Sequence, residues 1–286
     1  MASLRDVRRR IRSMQNTQKI TKAMQVVAAT KLRRAQAAVQ STRPYAEKMI
    51  EVLETTGELA TEYRHPYLER REGDRAVVLM VTADRGLCGA LNANTIRAVT
   101  RYVNERHRGQ ARYVTIGRKG RDFLIRYGRE VIADVSGLPD RPGIGPILPA
   151  IHAALAEYDQ GRTDTVVLSY ARWVSTLRQE PVVRTLLPLE IPDRREGPNP
   201  DYLYEPGPEE VLDALLPRYI ESQVYAAVLE NQASFYSAQM IAMQSATNAA
   251  GDLIESLTLT ANKVRQATIT AELMDIVGGA EALRKE

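Results

Sequence analysis

Residues 209–277 read as one nearly continuous helix, interrupted in pattern only by Pro217 and Gly251. At 1.5 Å per residue the stretch 218–277 alone would span roughly 90 Å, which no domain built from the rest of this chain can bury. A rod of that length must lie against another helix and then enter another protein. Its apolar or small positions are Val224, Val228, Phe235, Ala238, Ala242, Ala246, Ala249, Leu253, Leu257, Ala261 and Val264. Counted with one turn passing through Asn231, they recur with a period near 3.6, which predicts an almost straight helix with weak supercoiling.

The partner is found at the other end of the chain. From Ser3 to about residue 56 the only proline is Pro44 and there is no glycine. Ser3 is placed to cap this helix, with Asp6 three residues on where a capping box has Glu or Gln. Leu4, Val7, Ile11 and Met14 make a 3-4-3 seam of coiled-coil type. Residues 15–18 are wholly polar, and the apolar seam resumes displaced at Ile20, Met24 and Val27, so the helix is expected to face a partner that changes along its length. Pro44 is expected to kink or break it. Charge supports the pairing of the ends. Residues 1–48 hold twelve Lys and Arg against Asp6 and Glu47, while residues 209–286 hold five basic and eleven acidic groups, so the overall charge of +4 conceals two ends of opposite sign. Exposed ion pairs contribute only ~0.2–1 kcal/mol each, so such charges serve orientation and partner choice more than stability.

Between the two helices lies a different pattern. Residues 76–81, 111–116, 130–135, 165–174 and 181–187 read as strands, and 92–108, 118–127 and 145–157 as helices. The order β-α-β-α-β-α-β-β implies right-handed crossovers and a mostly parallel sheet, with the last two strands an antiparallel edge hairpin. Residues 190–208 hold five prolines and two glycines and read as a linker. The expected organisation is an N-terminal shaft helix over 1–60, a Rossmann-like α/β domain over 74–190, a Pro-rich linker over 191–208 and a C-terminal shaft helix over 209–286. The fold class is α/β, with a long antiparallel coiled coil of the two terminal helices.

Recognisable chemistry is missing. Cys88 is the single cysteine, which excludes an internal disulfide, and His65, His107 and His152 have no metal-ligand spacing. No apolar run approaches the length of a membrane span. The Arg-rich start resembles a transit peptide in composition, but its helical pattern runs on past residue 40. Gly117-Arg118-Lys119-Gly120 lacks the spacing and the Ser/Thr of a phosphate loop. Asp84-Arg85-Gly86-Leu87-Cys88-Gly89 does follow a strand. It reads either as a phosphate loop or redox thiol, or as a tight turn with Asn92 or Asn94 capping the next helix. The first option would make the chain a small Rossmann-like enzyme with helical arms. The basic N-terminus offers a nucleic-acid-binding alternative, against which stand the lack of interleaved aromatics and of any DNA-binding motif.

Three stretches carry a resemblance: 11–31, IRSMQNTQKITKAMQVVAATK; 84–89, DRGLCG, with Leu91-Asn92; and the C-terminal helix, with ESQVY at 221–225, ENQAS at 230–234 and NKVRQATITAELMDIVGGA at 262–280. Together with YLYEP at 202–206 they resemble the γ subunit family of bacterial F-type ATP synthases across essentially the whole chain. The resemblance implies a central-stalk rotor that couples c-ring rotation to conformational change in the catalytic β subunits. It implies a ring driven by protons or sodium ions, and a subunit with no catalytic residue, metal or cofactor of its own. It implies three α and three β subunits, ε and the c-ring as partners, with no nucleic acid and no small-molecule substrate. It also implies a peripheral position on the cytoplasmic face of the bacterial cell membrane.

On the same resemblance, Met24, Arg265, Gln266, Thr270 and Glu272 fall where the family contacts the lever and catch loops of β, and Tyr202, Tyr204 and Glu205 where the foot meets ε and the c-ring. Met24 serves equally well as a plain seam residue, and the others as an exposed helix face. Two departures stand out: Gln239 and Gln244 replace Arg and Lys, weakening an expected charged contact to β, and Pro217 is unusual there, marking an expected start or bend of the long helix. Gly278-Gly279 is expected to end or loosen the helix.

Overall fold

The computed structural model describes residues 3–59, 65–190, 205 and 207–283. The chain divides into two compact units, Met1–Val27 with Met240–Glu286, and Ala28–Gln239. Two helices run through both: α1 (Leu4–Leu59) and α5 (Pro208–Leu283).

In the sheet unit the order is β1 (Ala76–Val81), α2 (Leu91–His107), β2 (Ala111–Ile116), α3 (Arg118–Arg126), β3 (Val131–Val135), a 3₁₀ turn (Gly145–Ile147), α4 (Leu148–Asp159), β4 (Thr165–Trp173) and β5 (Gln179–Leu187). The strands lie in the order β3-β2-β1-β4-β5. β1 pairs in parallel with β2 and β4, β2 in parallel with β3, and β4 antiparallel with β5. A parallel strand covered on both faces has no polar side to present, and all six residues of β1 are buried. Val77, Leu79 and Val81 face one core, shared with Ile147, Ile151 and Tyr158, with Leu212, Leu216 and Ile220 of α5, and with Leu53 of α1. Val78 and Met80 face the other, with Val99, Val103 and Leu124. The sheet's outer strand β5 carries Pro181 and the Glu180–Arg172 ion pair, devices that discourage edge pairing.

In the helix-pair unit the Ser3 cap forms as expected: the Asp6 N–H donates to Ser3 Oγ at 3.2 Å and Ser3 Oγ to Asp6 Oδ2 at 2.8 Å. The slipped seam does not. Covered positions on α1 run through Val7, Ile11, Met14, Gln18, Thr21 and Gln25, alternating four and three residues without a break. Ile20 and Val27, expected at the seam, are instead exposed at 60% and 54%. The polar stretch does not interrupt the seam; its Gln18 belongs to it. On α5 the covered positions include Ala242, Met243, Ala246, Thr247, Ala250, Ile254, Leu257, Ala261 and Val264, while Ala249 and Leu253, expected among them, are exposed. The four-three alternation on α1 is the 3.5 spacing of a supercoiled pair. Thr21 Oγ1 meets Thr247 Oγ1 at 2.8 Å and Gln25 Nε2 donates to Gln244 Oε1, which fixes the antiparallel register.

None of the three expected interruptions ends its helix. Pro44 lies inside α1 and Pro217 inside α5, neither ending its helix. α5 begins at Pro208, where a first-turn proline sacrifices no helical hydrogen bond. It also continues through Gly278 to Leu283.

Candidate functional site

The reversal of strand order, where an open α/β sheet forms its ligand crevice, lies between β1 and β4; the phosphate turns that the sequence offers lie beside it, after β1 and β2. Here the chain fills those turns itself. The Arg118 N–H donates to Asp84 Oδ1 at 3.0 Å and the Gly137 N–H to Asp84 Oδ2 at 2.8 Å. The next two amides of α3 are used as well, Lys119 N–H by the Ala83 carbonyl at 3.1 Å and Gly120 N–H by Thr82 Oγ1 at 2.9 Å. A phosphate needs those donors free. Gly117, at φ 106°, brings the turn so close to the Thr82 carbonyl that a Cβ would collide with it.

Cys88 gives no reactive thiol either. It is buried at 3% exposure, and burial pushes its thiol pKa up. Neither Asn92 nor Asn94 caps α2, whose N-cap is Ala90 with no side-chain bond. Asn92 instead staples the loop, accepting from the Ala83 N–H at 3.0 Å and donating to Cys88 Sγ at 3.4 Å. The side chains thus hold the DRGLCG turn rigid while Leu87, at φ 64°, stands 61% exposed. Among the described residues no group of His, Cys, Asp or Glu is placed to hold a metal ion.

The remaining sequence-predicted residues are not gathered into a pocket. On α5 Val264 is the last half-covered position, and Arg265 through Gly278 are all exposed. Arg265, Gln266, Thr270 and Glu272 lie on that bare stretch, with Thr270 Oγ1 bonded back to the Gln266 carbonyl at 2.9 Å. Ile269, Leu273, Ile276 and Val277 stand there with 49% to 68% of their surface in solvent. Met24 is half-buried in the helix pair and Glu205 is exposed. Tyr202 and Tyr204 lie outside the described residues. Gln244 accepts from Gln25 across the two helices and donates to Asn248 along its own.

Sequence reasoning missed one cluster in the sheet unit. The loop after β3 places Asp140 against Lys31 of α1 (2.8 Å) and the Tyr236 hydroxyl of α5 (2.6 Å), with the Lys31 ammonium 5.6 Å from the Tyr236 ring centre. Lys31 and Tyr236 hold the Asp140 carboxyl below its usual pKa. Residues 96 and 109 positions apart carry no local signal of such a meeting.

A small α/β sheet joined in sequence to a long helix pair whose described end is bare has the build of a subunit of a larger assembly. The family model described as ATP synthase matches residues 3–283. The chain is 46% identical to the ATP synthase gamma chain of Chloroflexus aurantiacus, covering 99% of both. It is 45% identical to that of Ralstonia nicotianae, over 99% of this chain and all of the relative. The chain therefore belongs to the ATP synthase gamma chain family. Its fold is shared by a chain of the Euglena gracilis mitochondrial ATP synthase (TM-score 0.68, 19% identity, 98% and 94% covered). It is also shared by one from the central stalk and c-ring of the Tetrahymena thermophila enzyme (TM-score 0.60, 23% identity, 79% and 99% covered).

Proposed function

We propose that the chain is the central-stalk rotor of an F-type ATP synthase, turning inside three α and three β subunits and carrying no chemistry itself. The observation that carries this reading is the bare end of α5. From Arg265 to Leu283 the helix extends about 28 Å at 1.5 Å per residue, and its apolar side chains from Ile269 to Val277 find no cover among the described residues. A sleeve of surrounding subunits supplies the cover, and a helix without rotational symmetry presents a different face to each β subunit as it turns. Each catalytic site is thereby biased toward a different binding state, a coupling of binding free energies through a moving element.

In this assignment residues 1–60 and 209–286 form the shaft, 74–190 the foot and 191–208 the connection between foot and shaft. Met24, Arg265, Gln266, Thr270 and Glu272 face the lever and catch loops of β. Tyr202, Tyr204 and Glu205 face ε and the c-ring. No described helix is long and apolar enough to cross a membrane. Attachment to the cytoplasmic face of the cell membrane, in this reading, runs through the c-ring. Mixing the purified chain with α and β subunits of its own source tests the reading. A complex that hydrolyses ATP with multi-site kinetics only when this chain is present is expected. A monodisperse monomer with no affinity for α and β assemblies would overturn it.

A further inference from the structure

We infer that the loop between β3 and α4 is a strap binding both long helices to the sheet, and that Asp140 is its positioning residue for torque transfer. The inference rests on the rotor reading above, since it concerns how force passes between foot and shaft. The loop runs along α5, where Gln232 Nε2 donates to the Pro139 carbonyl at 3.1 Å and the Tyr225 hydroxyl to the Pro142 carbonyl at 3.1 Å. Between those two anchors Asp140 accepts from Tyr236 on α5 and, through both carboxylate oxygens, from Lys31 on α1. The base of the same loop is tied to the sheet end, Gly137 N–H to Asp84 and Gly117 N–H to the Val135 carbonyl at 2.8 Å. One carboxylate therefore joins residues 109 and 96 positions away in the chain, on α1 and on α5.

The chemistry suits a mechanical role. An apolar contact resists separation but slides readily, because dispersion has no direction. A carboxylate held by an ammonium and a phenol at 2.6 to 3.0 Å fixes rotation as well as distance. Tyr236 is itself buried at 6% exposure, so its hydroxyl has no ready substitute partner in water. α5 is already packed onto the sheet through Leu212, Leu216 and Ile220, whereas Lys31 lies more than twenty residues from Leu53, the α1 residue in that core. Ala28, Leu32, Ala35 and Val39 bury one face of α1 on either side of Lys31, and the strap adds a directional polar tie to that apolar contact.

The test uses the complete enzyme in sealed vesicles, measuring ATP hydrolysis and ATP-driven ion uptake together. Asp140→Asn should lower the ratio of uptake to hydrolysis about threefold, the size expected for losing one partly exposed charge pair, with hydrolysis retained. Tyr236→Phe should lower the ratio less, and Asp140→Glu should keep it. Lys31→Glu combined with Asp140→Lys should restore much of it. An unchanged ratio in Asp140→Asn, or hydrolysis and assembly falling in parallel with uptake, would overturn the positioning role and leave an ordinary structural contact. Failure of the rotor reading looks different, because the unmodified chain would then support no multi-site hydrolysis at all.

Discussion

In the sheet unit β1 sets six consecutive residues out of solvent, whereas the helix pair gives Gln18, Thr21 and Gln25 successive places at its seam. Val77 to Met80 are each at 0% exposure and touch side chains on both faces. In the helix pair, full burial among the described residues is confined to Val7, Thr21, Met243 and Ala250. One region is held by packing it completes itself. The other is held by register-fixing polar contacts and leaves apolar surface open, a state that a subunit of a larger assembly can afford and an isolated domain cannot.

The largest expected effect lies in the sheet. Leu79→Ala removes a fully buried side chain between α4 and α5, where close packing leaves little room to collapse. We expect a loss of about 3 kcal/mol in denaturant unfolding of the full chain. A loss below 1 kcal/mol would mean the sheet core is as loose as the helix seam, and the contrast would fail.

A smaller effect tests the sheet's lower rim. Asp164 is nearly buried and takes both Arg75 Nε and Nη2, at 3.1 and 2.7 Å, together with the Arg75 N–H. The Arg75 hydrogen bonds hold its pKa below the ordinary 3.8. A carboxyl depressed in the folded state adds stability that is fully present above its unfolded pKa and is lost as pH falls through the folded one. Acid unfolding followed by circular dichroism should therefore steepen below pH 3.8 in the unmodified chain and be shallower in Asp164→Asn. Identical acid limbs would remove Asp164 from the account.

The helix seam should respond more weakly still. Thr21 Oγ1 and Thr247 Oγ1 lie close to each other and to the Gln18 and Met243 carbonyls, at 3.1 and 2.8 Å. Two hydroxyl protons cannot serve three hydrogen bonds at once, so one of the three is always forgone. Either single change to Val removes the hydroxyl–hydroxyl link while the other hydroxyl keeps its own carbonyl, so each single change should cost about 0.5–1 kcal/mol and the double change little more than one of them. A double-mutant cycle on thermal unfolding reads the coupling directly. Additive losses would show that the pair does not fix the register.

This polarity also explains what could be read from sequence. The strands were legible because a doubly covered strand must be an unbroken apolar run, as residues 76–81 are. The seam was misread because Gln18, Thr21 and Gln25 occupy its positions while Ile20 and Val27 lie outside it; a search by apolar period follows the wrong residues. Pro44, Pro217 and Gly278 were read by local propensity, which tertiary and helix-pair packing override. The closed phosphate position was half legible: the DRGLCG turn was visible, but Asp84 reaching Arg118 and Gly137, 34 and 53 residues on, was not. The Asp140 cluster lay beyond any local pattern for the same reason.

The smallest expected effect on stability belongs to the bare end of α5, and there the contrast with the sheet is sharpest. At 100° per residue Arg265, Gln266, Thr270 and Glu272 fall at about 0°, 100°, 140° and 340° on a helical wheel. The apolar Ile269, Leu273 and Ile276 fall between those flanks, near 40°, 80° and 20°. All seven are exposed, and the described contacts of this segment, such as Thr270 to the Gln266 carbonyl, stay within the helix. Arg265→Ala with Gln266→Ala should therefore shift unfolding of the isolated chain by no more than ~0.5 kcal/mol, as substitutions on a solvated face do. In the assembled complex the same pair should lower multi-site ATP turnover, because there the flanks meet β loops and the apolar stripe lies inside its sleeve. A thermal melt of the free chain beside turnover of the purified, correctly assembled enzyme separates the two. Unchanged turnover with normal assembly would sink the contact assignment for Arg265 and Gln266, and a large loss in the free chain would show that this end is folded against something within the chain after all.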